Sequence, residues 1–186
     1  MKRIITLISI LILSIVLLNS CGKKSFDDTY QKLGEKSLNA CKKLTIDYTV
    51  VDQSVKVYEY IREIDFRENI EISEKTYTLS TSTFDLSSEE TFVVEEESNR
   101  LVYLNMILKE ELISNYELKD NILTINTTKD NLGKIIGIDN LSINNDQVDI
   151  IISLDDVKND MKIMSMTVEF INNSNQSSVI TYTFGY

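Results

Sequence analysis

The chain has 186 residues, 42% of them hydrophobic, and a formal charge of −10: enough for one domain with a sizeable core, too little for two. The acidic balance repels nucleic acid and anionic lipid surfaces over the ~10 Å reach of physiological screening, so neither is an expected partner. Histidine, tryptophan and proline are absent; without histidine, His-dependent serine or cysteine hydrolysis and most catalytic zinc sites are excluded.

The first predicted element is an export segment. Lys2 and Arg3 precede an apolar stretch from Ile4 to Leu18, which runs into Asn19, Ser20 and Cys21. The stretch is shorter than the ~20 residues of a spanning helix and no stop-transfer pattern follows, so it reads as a removed signal with a lipoprotein cleavage box. The expectations are a signal peptide over 1–20, cleavage between Ser20 and Cys21, and Cys21 joined by a thioether to diacylglycerol carrying palmitate-like chains. Residues 21–27 then form a lipidated tether and 28–186 a single α+β domain. The membrane is a partner through this lipid, and the expected location is the extracytoplasmic cell envelope, with the domain held within roughly 20 Å of the bilayer at ~3.3–3.6 Å per residue. Cys41 is left as a single thiol, and a buried core position suits it.

Asp27 or Asp28 is a fair N-cap for a helix running to about Lys43. Phe26, Tyr30, Leu33, Cys41 and Leu44 fall at helical spacing, with Ser37 filling the missing turn. The period then changes to two, and Leu44, Ile46, Tyr48 and Val50 mark the buried side of a strand. Extended runs follow at about 55–66, 69–73, 76–84 and 90–96. Polar clusters at Ser73-Glu74-Lys75 and Ser87-Ser88-Glu89-Glu90 read as turns between them. Leu104, Ile107, Leu108, Leu112 and Ile113 place an amphipathic helix over 104–115. A strand at 121–127 and a helix from Thr128, as cap, to Gly137 come next. Val148 to Leu154, Met164 to Phe170 and Ile180 to Phe184 each alternate apolar and polar, which predicts three antiparallel strands sharing one greasy face.

This order of elements resembles the lipoprotein-carrier superfamily of LolA, LolB and LppX type. The resemblance rests on the export box, the helix Asp27–Lys43, and the ending Val148–Leu154, Met164–Phe170, Val179–Tyr186. It implies an N-terminal helix packed on a curved, half-barrel-like antiparallel meander with short helices inserted, whose concave face binds an acyl chain or another greasy ligand. No arginine- or tryptophan-marked site of that family is matched.

The candidate lining is Ile150, Ile152, Met164, Met166, Val168, Phe170 and Tyr182, with Met106 and Met161 as further adaptable side chains. A plain core accounts for the same alternation, and both readings stand. Acidic runs such as Glu95-Glu96-Glu97 read as solvated faces. The nine tyrosines suit either strand packing or a recognition surface. No catalytic residue, metal site or cofactor is singled out. The expected function is a non-enzymatic, membrane-anchored lipoprotein that binds a hydrophobic ligand or a lipidated partner. The rival is a solid interaction module, such as an adhesin, an envelope-assembly subunit or an inhibitor, that meets its partner at an edge strand or a tyrosine-bearing face.

Overall fold

The computed structural model describes residues 25–94, 100–155 and 160–186. The expectations for residues 1–20 and for Cys21 lie outside the described residues.

The N-terminal helix is two helices. Ser25, not Asp27 or Asp28, is the N-cap of α1 (Phe26–Tyr30); its Oγ accepts from the Asp28 amide at 3.2 Å while the Asp28 carboxylate accepts from the Ser25 amide at 3.3 Å, a capping box. Exposed Gln31 and Lys32 interrupt the helical run before α2 (Leu33–Ala40). Arg100 closes the C-terminus of α2: its Nη1 donates to the carbonyls of Leu38, Asn39 and Cys41, where helix carbonyls lack partners and a cation is favoured. Cys41 is buried, and its thiol donates to the Leu38 carbonyl at 3.2 Å, as a core cysteine should.

Two meanders follow. The first is β1 (Lys43–Asp52), β2 (Val55–Asp65), β3 (Ile70–Ser80) and β4 (Thr83–Val94). The second is β5 (Asn115–Lys119), β6 (Ile122–Thr128), β7 (Gln147–Asp155), β8 (Lys162–Ile171) and β9 (Ser177–Gly185), with α3 (Lys129–Ile136) between β6 and β7. They join where β1 pairs with β9, giving one open, curved antiparallel sheet in the order β4-β3-β2-β1-β9-β8-β7-β6-β5. Two-residue turns with positive φ, Gln53-Ser54 and Asp120-Asn121, match the twist of the hairpins they close.

Three sequence expectations are corrected. Ser73-Glu74-Lys75 and Ser87–Glu90 are not turns but the middles of β3, which is half-buried there, and β4, which is exposed on both faces, so polar residues cost little. Residues 104–109 are extended rather than helical; Leu104, Met106 and Leu108 are the buried set, with a short 3-10 turn only at Glu110–Leu112. Thr128 stands at the N-cap of α3 without a side-chain cap bond, whereas Gly137 ends that helix at φ 72 as expected.

The core lies on one face of the sheet. Helix α2 packs on β8, and α3 packs on β6 and β7. Ser37, fully buried, accepts from the Ile163 amide at 2.8 Å and fixes α2 to β8.

Candidate functional site

Strand β1 has neighbours on both sides, so each of its inward residues is the middle of a cross-strand row. Ile46 sits between Arg62 of β2 and Tyr182 of β9; Tyr48 sits between Tyr60 and Ile180. With strands ~4.8 Å apart, these six side chains make a floor about 10 Å wide. Tyr103 and Leu104 cross above it, and Gly137, Ile138 and Leu141 form the opposite wall, leaving a cleft of about 300 Å³.

The cleft exists because the cover stops there. Toward β6 the same two rows continue as Met166–Ile152–Leu123 and Val168–Ile150–Ile125, all buried beneath the helical layer. Helix α3 ends at Gly137, beside Tyr182, whose hydroxyl donates to the Ile136 carbonyl at 3.1 Å. A Cβ on Gly137 would lie 2.9 Å from the Asn105 carbonyl oxygen, so only glycine lets the two wall segments meet at this distance.

Toward β3 the rows turn polar. Arg62 is flanked by Glu74 and Tyr60 by Thr76. Among the described residues, Arg62 brings the sole formal charge to the cleft lining. Its Nε lies 3.2 Å from Glu74 Oε1, close enough for an ion pair but misaligned, so the buried Nε–H has no hydrogen-bond partner. Burial pushes the Tyr60 hydroxyl up to about 12, and its hydrogen bond to the Glu74 carboxylate adds to the shift. Glu74 thus braces both residues from outside the cleft.

The predicted lining is placed as follows. Tyr182 borders the cleft but is itself fully buried, with its hydroxyl on the end of α3. Ile150, Ile152, Met166, Val168 and Phe170 share its face but are packed into the core. Met164 is corrected: it is 39% exposed on the opposite face, because β7 pairs Ser153 with Ser165 and Leu154 with Ile163, a bulge that skips Met164 and turns Ile163 inward. Met106 is buried against Gly34, and Met161 packs at the core margin. Arg62 and Tyr60 were not anticipated. The run Tyr58-Glu59-Tyr60-Ile61-Arg62 alternates, and that period alone places Arg62 on the inward face.

A larger groove, about 430 Å³, is bordered by Asp65, Arg67, Glu68 and Glu71 and is a charged surface. There the Arg67 hydrogen bonds hold the Asp65 carboxyl down to about 2, the reverse of the raised acid that general-acid chemistry uses. Among the described residues, no group of three His, Cys, Asp or Glu side chains could hold a metal ion, and no helix is long and apolar enough to cross a membrane.

No protein-family model matches the chain, and no curated protein does. Among solved structures it is similar to a LolA superfamily protein from Nitrosomonas europaea, with 9% identity over 83% of this chain and 91% of that one and a TM-score of 0.29.

Proposed function

We propose that this chain is a non-enzymatic, extracytoplasmic lipoprotein, tethered through lipid on Cys21, whose domain holds a hydrophobic or lipidic ligand in the cleft between its two meanders. One observation carries the ligand reading: a half-buried apolar floor at Ile46 and Tyr48, edged by the buried Ile180 and Tyr182, in a sheet whose neighbouring rows are fully packed. A cleft of this volume suits small-ligand sites, and it is built on strands rather than loops.

The magnitudes set the ligand's size. At ~30 Å³ per water-sized group, about 300 Å³ takes roughly ten methylenes. Their burial gains ~0.8 kcal/mol each, about 8 kcal/mol in all. Association costs ~4 kcal/mol or more, so the tail alone gives weak binding and a polar anchor sets the affinity. Two or three acyl chains do not fit.

Extraction of the purified protein with organic solvent, followed by mass spectrometry, is expected to give close to one lipid-like molecule per chain. A protein that yields none and takes up no fluorescent fatty-chain probe is instead an interaction module with a solid core. Anchoring is tested separately: Cys21→Ala is expected to move the protein from the membrane fraction to the soluble fraction or leave it unprocessed. A processed, tightly bound Cys21→Ala protein would end the lipoprotein reading. One acyl chain binds a membrane only marginally, whereas two or three on one cysteine attach it stably.

A further inference from the structure

We infer that the cleft selects an anionic head: its ligand is a single-chain carboxylate, a fatty acid with a tail of about ten to twelve carbons, seated with the carboxylate on Arg62 and the chain running over Ile46 and Tyr48 toward Leu141. This deepens the ligand reading above and rests on it.

Three observations converge. First, every other described lining residue is apolar, aromatic or glycine, so among the described residues the cleft's one formal charge is positive. Second, that charge sits at one end of the floor, where the row passes from Ile46 to Glu74, so a bound chain has its polar end fixed there. Third, the Arg62 Nε–H is buried and lacks an aligned hydrogen bond although its ion-pair partner Glu74 lies 3.2 Å away. Buried donors are nearly always satisfied, so the imperfect Glu74 pairing leaves the guanidinium with hydrogen-bonding capacity that a ligand carboxylate at the cleft would meet. A guanidinium presents donors in a planar fork that fits a carboxylate at two points, which an ammonium head cannot use and a hydroxyl uses only once.

The protein's net charge is −10, so its long-range field does not draw anions in. Selectivity for the anion is therefore local to one side chain. Glu74 is the internal competitor: it neutralises Arg62 in the empty cleft, and a ligand carboxylate must share the guanidinium with it.

Calorimetric titration of the purified full chain with dodecanoate, dodecanol and dodecylammonium, all below their aggregation limits, separates head from tail. The wild type is expected to bind dodecanoate at least tenfold tighter than dodecanol, with the ammonium weakest. Arg62→Gln is expected to bring dodecanoate to the level of dodecanol and leave dodecanol unchanged. Glu74→Gln, which removes the competing carboxylate, is expected to tighten dodecanoate several-fold. If dodecanol or the ammonium binds wild type as well as dodecanoate, the head assignment is overturned while the apolar cleft stands. If none of the three binds, the ligand reading itself falls. Should Arg62→Gln fail to fold by circular dichroism, Glu74→Gln decides: dodecanoate no tighter than in wild type overturns the proposal.

Discussion

The two meanders belong to one sheet yet are built to different standards. Strand β7 alternates buried and exposed residues along nearly its whole length, whereas β4 has hardly a covered side chain. What differs is the cover. Helices α2 and α3 lie on β6, β7 and β8, and the chain around Arg100 to Leu104 crosses the inner side near β1 and β2, where Arg100 stacks on Phe66 and Tyr103 meets the same ring edge-on. A sheet face becomes a core only where a second layer seals it. The cleft lies on the boundary, where the second layer runs out.

The largest expected effect tests the sealed half. Phe184 of β9 is buried beside Leu44, and Phe184→Ala is expected to cost ~3–5 kcal/mol by denaturant titration, since the surrounding layer closes only partly on the void. A loss below ~1 kcal/mol would mean that this half is not close-packed, and the contrast would collapse.

At the boundary itself the sensitive residue is Gly137. An alanine there must hold φ 72, which costs an L-residue ~1–2 kcal/mol, and its Cβ would press on the Asn105 backbone. Gly137→Ala is expected to lower stability by about 2 kcal/mol and to weaken uptake of a fatty-chain probe, because the wall moves with it. Full retention of both would show that the end of α3 does not shape the cleft.

How much of this was legible depends on whether a pattern reports a face or its cover. Period two in Val148–Leu154 and Val179–Tyr186 reports a face, and those strands stand as expected. Leu104 and Leu108 fit a helix as well as a strand, and only their seat under α2 and α3 settles that Met106, not Ile107, joins them. Bulges are silent in composition, so Met164 read inward. The turn-like polar runs Ser73–Lys75 in β3 and Ser87–Glu90 in β4 misled because a strand segment with little or no cover has no reason to be apolar. The cleft was illegible for the same reason: Ile46 and Ile152 lie on one row and read alike, and what distinguishes them is a helix that ends beside Tyr182 of β9, short of β1.

Alkaline pH sharpens the contrast with a smaller effect. Burial pushes the Cys41 thiol from 9.0 up to about 11, with the nearby Arg100 charge opposing the shift, and the Tyr60 hydroxyl from 10.0 up to about 12. Both groups keep protons in the folded chain that the unfolded chain releases first. Their stabilising contribution is therefore whole below pH ~9 and is lost as pH rises through ~11 for Cys41 and ~12 for Tyr60. Denaturant midpoints across this range are expected to stay flat to about pH 9 and then fall. A bound fatty chain should delay tyrosinate formation at Tyr60 and leave the Cys41 step where it is. If the ligand shifts both steps equally, the boundary and the sealed half are not separate environments.

The smallest expected effect comes from the residue most like Phe184. Phe92, Ile72, Ile64, Leu44 and Phe184 form one continuous cross-strand row, so the two phenylalanines share residue type, face and row and differ only in what lies above them. Phe92, on edge strand β4, is 41% exposed where Phe184 is 2%. With water already at its ring, Phe92→Ala leaves no closed void, and only part of the transfer term is lost; the expected cost is about 1 kcal/mol or less. The ratio of the two losses, measured by the same denaturant titration, isolates the contribution of the covering layer from that of the sheet. In this row Ile64 and Ile72 are still buried, so the cover runs out between β3 and β4; a ratio near one would place the same cover over both ends of the row and erase that boundary.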